Sequence, residues 1–557
     1  MKELSQLAPK SDSKSEEPES QPGLFRRLQA AVQETSNRSR SLWLLLIILL
    51  GLSIRLTGLF WGHAYSYFGQ GDGMEAYQVT VNYAAGEPKA LYLGQPNYNT
   101  HSKLPGPLWT LFCFASLRFG QSIETAILAI ILLNTAAIYL TYLVAERTVG
   151  PRCALWAALL TATLPRVVYY SVGLYNPDVM PFMSGLLLLS LWQVVQRDRS
   201  RSIFWVCLLL CMMPQFHMSG LALFPTVAII LLLSSARLNI LWLFGGLLAG
   251  AFLYIPYIQG EIANGWQNTH GMLLGHEKHY WDALKVFTAP FSFLVNFSPP
   301  WTKSSAEYRE LGRSCFGSFG VLLVVNVLSA IAAAFLVAGA FNTIRTGMRG
   351  FWHSPRQVFR RSPGVALLTV FFFVPLFSML LNGTLVHTRY FLLLLPVMLA
   401  LAGSGVPGWL ASRRLGGVFL ATFLIMCAAD IWLMPAMYHH LGTTITKGEV
   451  FIPSFRMLEE VYQQLKQNVG ANQAIQVDDS PYLKAIRHKR DPKANAKLIR
   501  YYVAIREKEA FLISGRRTEP VTFTLCPADE LPAEDPAVAY RAHGIALVAS
   551  AGSPTKP

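Results

Sequence analysis

Long apolar runs separated by short polar segments make up most of the chain. The first run extends from Leu42 to Phe60, and the last covers 416–435. The nine runs between them are 123–145, 152–168, 179–196, 202–218, 219–234, 239–257, 316–341, 363–381 and 390–407. An apolar helix of about 20 residues crosses the hydrocarbon core of a bilayer. The pattern therefore predicts an α-helical polytopic membrane protein with eleven spans.

One further apolar segment, 104–119, is too short to fit this scheme. At ~1.5 Å per residue, a helix of this length covers about 24 Å, less than the ~30 Å hydrocarbon core. We therefore predict a helix that lies in, or dips into, the outer interface. If this segment crosses the bilayer instead, the chain has twelve spans.

Clusters of arginine predict how the helices are oriented. The four arginines that precede the first run are Arg26, Arg27, Arg38 and Arg40. Later clusters lie at 197–201, 345–361 and 413–414. Cytoplasmic loops carry the excess of Lys and Arg. We therefore expect a multi-pass protein of the plasma (inner) membrane, with its N-terminus in the cytoplasm and its C-terminus outside.

The polar segments divide the chain into three predicted regions. Residues 1–40 are rich in Ser, Glu, Pro and Gln and should form a disordered cytoplasmic tail. Residues 41–436 should form the membrane domain, with outer loops at 61–104 and 258–315. Residues 437–557 are polar and should form a small extracytoplasmic α/β domain, because a segment of helical periodicity is followed by short strand-like segments.

The composition supports a membrane protein and excludes some functions. Of 557 residues, 52% are hydrophobic and 14% charged, against roughly 25% charged in soluble domains. The net charge is +15, but the basic residues sit beside apolar runs, which favours membrane anchoring over nucleic-acid binding. The sequence contains no Walker loop, no zincin motif and no GxGxxG after a strand, so nucleotide-driven chemistry has no support.

Two acids, Asp72 and Glu75, stand in the first outer loop shortly after the first run. Their Asp-x-x-Glu spacing is that of a capping box, which would simply start a helix. A carboxylate at the rim of a membrane groove can also act as a general base on a hydroxyl or amine. Both interpretations hold together if Asp72 is the base and Glu75 stabilises the turn.

A basic and proline-rich element follows at 101–107, where the chain returns to the membrane. Lys103 is positioned to bind a phosphate as a point charge, with His101 beside it. The alternative for Lys103 is a side chain that snorkels to the interface without a ligand.

Three further outer segments contain candidate residues. Asp178 opens a span after Asn-Pro; it could orient an acceptor or merely cap the helix. His217 lies in a break between two spans, where polar residues line cavities or seal the break by hydrogen bonding. Arg389, between His387 and Tyr390, is an arginine at an outer helix start, where an anionic headgroup is its natural partner and an ordinary interfacial Arg-Tyr pair is the alternative.

The outer loop 258–315 holds several histidines, but their spacing does not favour a metal. His276, Glu277 and His279 form a His-Glu-x-His sequence, which is too compact to place two histidines on one helix face. We therefore predict no metal site and no required cofactor; a divalent metal has no support in the sequence.

These residues, in this order, resemble the bacterial members of the protein O-mannosyltransferase and aminoarabinose transferase family, within the GT-C glycosyltransferases. The similarity is greatest over 42–200 and continues at 387–401. It implies a membrane enzyme that transfers a sugar from a polyprenyl-phosphate-linked donor to a glycan, lipid or protein acceptor at the outer face.

The resemblance also implies roles for individual residues. Asp72 matches the acid of the first loop that serves as catalytic base, and Lys103 matches the basic residue near the donor phosphate. Asp178 matches the second outer acid, and Arg389 is similar to a late arginine near the lipid phosphate. Ser102 stands where some members have a metal-binding Glu, so the resemblance does not extend to a metal.

Two alternative functions use similar lipid-linked sugars. A flippase or transporter places its charged residues near the bilayer midplane and often contains inverted repeats; no repeat is visible here. A polymerase or ligase of surface glycans would carry basic catalytic groups in a large late outer loop instead of an acid in the first loop.

Overall fold

The computed structural model is predominantly helical, with one small sheet near the C-terminus. The residues it describes are 37–61, 72–86, 96–97, 102–120, 122–196, 201–234, 236, 238–274, 284–295, 305–383, 387–443, 455–469, 473–479, 499–500, 502–510, 520–527, 538–542 and 545–549.

Residues 37–443 form a bundle of helices. In chain order the helices are α1 (Asn37–Phe60), α2 (Asp72–Ala84), α3 (Leu108–Gly120), α4 (Ile123–Thr148), α5 (Pro151–Thr163), α6 (Pro165–Tyr169), α7 (Met180–Val195), α8 (Ser202–Phe216), α9 (Leu223–Ser234), α10 (Ile240–Phe252), α11 (Ile255–Ala263), α12 (Gln267–Leu274), α13 (Ser292–Val295), α14 (Ser305–Phe316), α15 (Phe319–Gly347), α16 (Pro355–Arg361), α17 (Pro363–Leu381), α18 (Leu395–Leu410) and α19 (Gly416–Thr443). Short 3-10 turns stand at Asn176–Val179, Met218–Ala222, Leu284–Phe287, Ala289–Phe291 and Thr388–Leu394.

All eleven predicted spans are helical in the structure, but they differ in length. Within the described residues, seven helices are long and apolar enough to cross a membrane, and the bent pair α10–α11 makes an eighth if it counts as one span. The predicted spans 202–218 and 219–234 correspond to shorter apolar helices. The number of spans that qualify by length is therefore smaller than the eleven predicted.

The predicted span 152–168 is interrupted between α5 and α6. Leu164, between them, has φ −55° and ψ 124°, outside the helical region. The cause is Pro165, whose ring disfavours a helical conformation of the preceding residue and which has no N–H to donate.

A buried arginine satisfies backbone groups at this break. Arg55 of α1 is fully buried and donates to the carbonyl oxygens of Thr161 at 2.9 Å and Ala162 at 3.2 Å. These carbonyls belong to the last turn of α5, where acceptors lack intrahelical partners and the helix dipole is negative. Hydrogen bonds to these backbone carbonyls therefore offset part of the cost of burying the Arg55 charge.

α3 follows the prediction for segment 104–119. It has 13 residues and so covers about 20 Å, less than a bilayer core. It packs against α2, α4 and α8. Its place in the outer interface stays a prediction.

Small residues bring the central helices close together. α18 packs against α5 and α15. A Cβ on Gly405 of α18 would lie 2.5 Å from Cα of Gly339 in α15, and a Cβ on Gly403 would lie 2.8 Å from the backbone nitrogen of Ala157 in α5. Small residues permit such approach where helices associate within a membrane.

The C-terminal region has the predicted α/β organisation. It contains α20 (Phe455–Gln467) and the strands β3 (Ala474–Asp478), β4 (Pro520–Pro527), β5 (Val538–Ala542) and β6 (Ile545–Ala549); β1 and β2 are the two-residue strands Pro96–Asn97 and Ser102–Lys103. The sheet order is β3-β4-β6-β5. β3 and β4 are parallel, and the other pairs are antiparallel.

The helical residues 502–510 of this region contact the bundle at the first turn of α4, where Arg506 pairs with Glu124 at 2.7 Å. We call this end of the bundle the domain end. The predicted boundaries after residues 40 and 436 stay predictions; α19 continues to Thr443.

The close contact at Gly405 generates a prediction about stability. Gly405→Ala should destabilise the protein by ~1–3 kcal/mol, because the added methyl meets backbone and the two helices must separate. Gly408→Ala, in the same helix with nothing within 4 Å, should be neutral or stabilising by up to ~1 kcal/mol. Thermal unfolding midpoints in detergent measure both; equal midpoints would contradict the packing described.

Candidate functional site

Asp178 stands in a short turn that two hydrogen bonds fix to neighbouring helices. The turn Asn176–Val179 precedes α7 and contains Pro at its first position, which suits a helix start. The side-chain amide of Asn134 in α4 donates to the backbone oxygen of Asp178 at 2.8 Å, and the amide of Asn176 donates to the carbonyl of Phe216 at the end of α8.

The carboxylate of Asp178 is fully buried. Neither of its oxygens has a hydrogen-bond partner among the described residues. Burial of such a group carries a large cost in free energy. Ionisable residues within membrane segments generally serve a function, so Asp178 is a strong candidate site residue.

Arg389 is the positive charge that interacts electrostatically with Asp178. It belongs to the turn Thr388–Leu394 before α18. Its guanidinium lies 5.3 Å from the ring centroid of Tyr175 and 5.8 Å from that of Tyr390. Cation–π contacts of this kind hold an arginine over an aromatic face and leave a defined position for its charge.

Two histidines flank Tyr390. The ring centroids of His217 and His387 lie 5.1 Å and 5.4 Å from that of Tyr390. Nδ1 of His217 accepts from the backbone N–H of Ser219 at 3.2 Å and lies 2.7 Å from its hydroxyl oxygen. Since Nδ1 is an acceptor, the proton of the neutral ring is assigned to Nε2.

The structure thus brings together five of the predicted residues, which we call the Asp178–Arg389 cluster: Asp178, His217, His387, Arg389 and Tyr390. The cluster lies inside the bundle, at some distance from the domain end. Asn134, which touches Asp178, is roughly 15 Å along α4 from Glu124. The four contributing segments are all helix breaks or helix starts, where backbone leaves room for polar side chains.

Two residues beside the cluster were absent from the sequence prediction. Nη1 of Arg166 donates to the hydroxyls of Ser292 at 3.1 Å and Thr388 at 3.4 Å. Tyr170 interacts electrostatically with Arg166, Arg389 and Asp178. Arg166 directly follows Pro165 at the end of a predicted span, so the signal that selected Arg389, an arginine at an outer helix end, could also have found Arg166.

The element around Lys103 approaches the same region from the first loop. Its backbone is held by Asn268 of α12, whose amide donates to the Lys103 carbonyl at 3.1 Å, while the lysine side chain is exposed. Gly106, with φ +139°, lies against the side chain of Gln215, two residues before His217. The glycine is required there by both its conformation and the contact.

Other predicted residues lie partly or wholly outside the described part of the chain. α2 begins at Asp72, but the side chains of Asp72 and Glu75 are outside the described residues, as is His101. Their roles stay predictions. Within the described residues, no group of three His, Cys, Asp or Glu side chains is arranged to hold a metal ion.

Comparison with known proteins shows what this chain is similar to. Residues 101–258 match the family model of dolichyl-phosphate-mannose-protein mannosyltransferases. The structure of ArnT from Cupriavidus metallidurans bound to undecaprenyl phosphate is similar over 92% of this chain and 98% of that chain, with 12% identity and a TM-score of 0.52. The chain is therefore similar in fold to the ArnT structure, and its residues 101–258 resemble the mannosyltransferase family.

A second solved structure with some similarity to this chain is the oligosaccharyltransferase of Archaeoglobus fulgidus tethered to an acceptor peptide. The match covers 89% of this chain and 70% of the oligosaccharyltransferase chain, with 10% identity and a TM-score of 0.46. No curated protein matches the sequence. The family match at 101–258 includes Lys103, Asp178 and His217, whereas Asp72 and Arg389 lie beyond it.

The electrostatics of His387 generate a prediction about stability. Burial, reinforced by Arg389, lowers the pKa of His387 from 6.5 to about 4. Between these values the unfolded chain binds a proton that the native ring does not, so this residue makes wild-type stability rise with pH. Replacement by Gln removes that contribution, and His387→Gln should therefore stabilise the protein more at pH 5 than at pH 7.

Unfolding midpoints of wild type and His387→Gln at the two pH values measure this effect. His353→Gln, at an exposed site in the link between α15 and α16, serves as the control. The same difference between wild type and His387→Gln at both pH values would contradict the assignment.

Proposed function

We propose that this protein is a membrane glycosyltransferase that transfers a sugar from a polyprenyl-phosphate-linked donor to an acceptor at the outer face of the plasma membrane. The acceptor is a glycan, a lipid or a protein. The observation that carries the proposal is the Asp178–Arg389 cluster, in which a buried carboxylate and a guanidinium interact electrostatically at helix starts in a fold similar to that of ArnT.

The positive groups are the proposed site of the donor phosphate. Arginine suits phosphate because its planar group donates several hydrogen bonds in a fixed geometry. Arg389 and Arg166 both interact with Tyr170, so one anion between them could contact both. Lys103, with His101 beside it, would add charge from the first loop. The similar ArnT structure contains undecaprenyl phosphate, which supports a lipid phosphate of this class.

The proposed chemistry is an inverting displacement. Asp72 accepts the proton of the acceptor hydroxyl or amine, and the freed electron pair attacks the anomeric carbon of the donor. The bond from that carbon to the phosphate oxygen breaks, and the polyprenyl phosphate leaves with the bonding electrons. Lys103 and Arg389 stabilise its negative charge, as fixed charges do best in a site that excludes water. The step uses no nucleotide and no covalent intermediate.

The remaining residues have supporting roles in this scheme. Asp178 orients the acceptor or holds the position of Arg389, and Glu75 caps α2 beside Asp72. His217, His387 and Tyr390 line the site. The Tyr390 ring contacts both histidines, so these three side chains would fix the shape of the wall beside the phosphate.

The first test of this proposal concerns the base. Asp72→Asn should reduce transfer by ~10²–10⁴-fold, the usual contribution of a general base, while the protein remains folded and inserted. Transfer is measured as release of undecaprenyl phosphate from undecaprenyl-phosphate-linked mannose or aminoarabinose. Glu75→Gln should retain most activity, since a cap residue contributes through helix stability. Full activity of Asp72→Asn would eliminate Asp72 as the base.

A second test concerns the phosphate. Arg389→Gln and Arg166→Gln should each weaken binding of undecaprenyl phosphate by ~10–150-fold, because each removes a charge-assisted hydrogen bond worth about 1.5–3 kcal/mol. Arg356→Gln is the matched control, because Arg356 lies in α16 among the arginines at 345–361 that are predicted to be cytoplasmic. Binding is measured by quenching of intrinsic fluorescence in nanodiscs.

The same experiments separate the alternatives. A flippase or transporter would move the lipid-linked sugar between leaflets of a vesicle without releasing the lipid phosphate. A polymerase or ligase would release it but would tolerate Asp72→Asn. Unchanged binding in both arginine variants would remove the cluster as the phosphate site.

A further inference from the structure

The helical residues 502–510 of the C-terminal domain contact the helix that begins at Asp72. The hydroxyl of Tyr77 in α2 donates to Oε1 of Glu509 at 3.3 Å. The ammonium of Lys508 donates to the side-chain oxygen of Asn82 in the same helix. Two polar contacts, separated by more than a turn of α2, therefore join the C-terminal domain to the first loop.

Arg506 connects this contact to the membrane bundle. Its guanidinium binds Glu124, in the first turn of α4, at 2.7 Å and Oε2 of Glu509 at 3.0 Å. It also binds Glu459 of α20 at 3.1 Å, and its Nε donates to the Tyr502 hydroxyl at 2.9 Å. One guanidinium thus joins α4, α20 and the residue that holds α2.

The network is largely withdrawn from water. The side chains of Arg506 and Glu509 are 16% and 4% exposed, and Tyr77 is fully buried. Loss of one partner in such a network leaves another polar group unsatisfied at low dielectric, which is more costly than loss of a surface contact. The contact is therefore expected to hold α2 in one position.

α2 also packs against α3. Thr80 hydrogen-bonds the thiol of Cys113, and the ring of Tyr83 meets that of Phe114 at 5.1 Å, edge to face. α2 is consequently held by contacts with both α3 and the C-terminal domain. Neither side alone fixes the helix in every direction, so the placement of its first residue depends on both.

We propose that Tyr77, Glu509 and Arg506 are positioning residues that set the location of Asp72, and so that the C-terminal domain completes the active site. Tyr77 follows Asp72 by five residues, about 7.5 Å along a helix axis. A shift of α2 at Tyr77 would therefore move Asp72 with it, and misplacement by about 1 Å can cost on the order of 10²-fold in rate. The inference rests on the proposed role of Asp72.

The test uses the full-length protein with Glu509→Gln, Tyr77→Phe and the double variant. Each replacement keeps the shape of the side chain. Glu507→Gln is the matched control, because Glu507 is in the same helix but binds Lys466 at 2.7 Å and Tyr462 at 3.1 Å, both in its own domain. Hydrogen exchange of residues 72–84 and the kcat and donor KM of the transfer assay are measured.

Glu509→Gln and Tyr77→Phe should each speed exchange in 72–84 by at least about five-fold, the effect of one lost hydrogen bond of ~1 kcal/mol. Their kcat should fall by about ten-fold or more, within the range that misplacement produces, with the donor KM changed by less than about two-fold. The double variant should be no worse than the poorer single variant, because both changes weaken the same Tyr77–Glu509 contact. Glu507→Gln should match wild type in exchange and kcat.

Wild-type exchange and kcat in both variants would overturn the proposal, as would an equal loss in Glu507→Gln, which would indicate a general effect of domain stability. Asp72→Asn, assayed in parallel, separates this outcome from failure of the proposed function. Full activity of Asp72→Asn would show that Asp72 is not the base, whatever the result for the C-terminal domain. An inactive Asp72→Asn beside a fully active Glu509→Gln refutes only the positioning role.

Discussion

Helix breaks near one end of an apolar bundle are the constraint on which this structure depends. Each break frees backbone groups that an apolar surrounding cannot satisfy, so side chains must reach them. Arg55 supplies donors to the end of α5, and Asn176 supplies one to the end of α8. The breaks after Thr163 and Phe216, and the helix starts at Asn176 and Thr388, are also where polar side chains gather within the bundle.

The candidate site follows from this arrangement. Asp178 and Arg389 come from starts of different helices and interact electrostatically, and the guanidinium lies over the rings of Tyr175 and Tyr390. A charge held by aromatic faces and backbone turns has little freedom to reorganise. Such preorganisation is what stabilisation of a leaving phosphate requires. In the proposed reaction, the helix starts that form the cluster would therefore supply the charge that the leaving phosphate needs.

An arginine that binds several partners also joins the C-terminal domain to the bundle. Arg506 gathers Glu124, Glu459 and Glu509 around one guanidinium, and Tyr77 brings α2 to the edge of that group. The first loop is long, and much of what it contributes to the proposed reaction resides in one helix. In the proposed mechanism, the contacts of the C-terminal domain with α2 support this helix and so place Asp72.

The sequence by itself determined the helices, because apolar runs of membrane length have no other stable arrangement in a bilayer. It also singled out Asp178, His217 and Arg389, since charged and polar residues at helix breaks are expensive unless they are used. Pro165 also explains the break between α5 and α6, which the prediction of a single span at 152–168 did not take into account. Only the tertiary structure decided that Arg506 meets Glu124, 382 positions earlier, and that Arg166 lies beside Arg389. Periodicity reports which face of a helix is buried, but pairings between distant segments depend on how helices pack, and packing has no local signal.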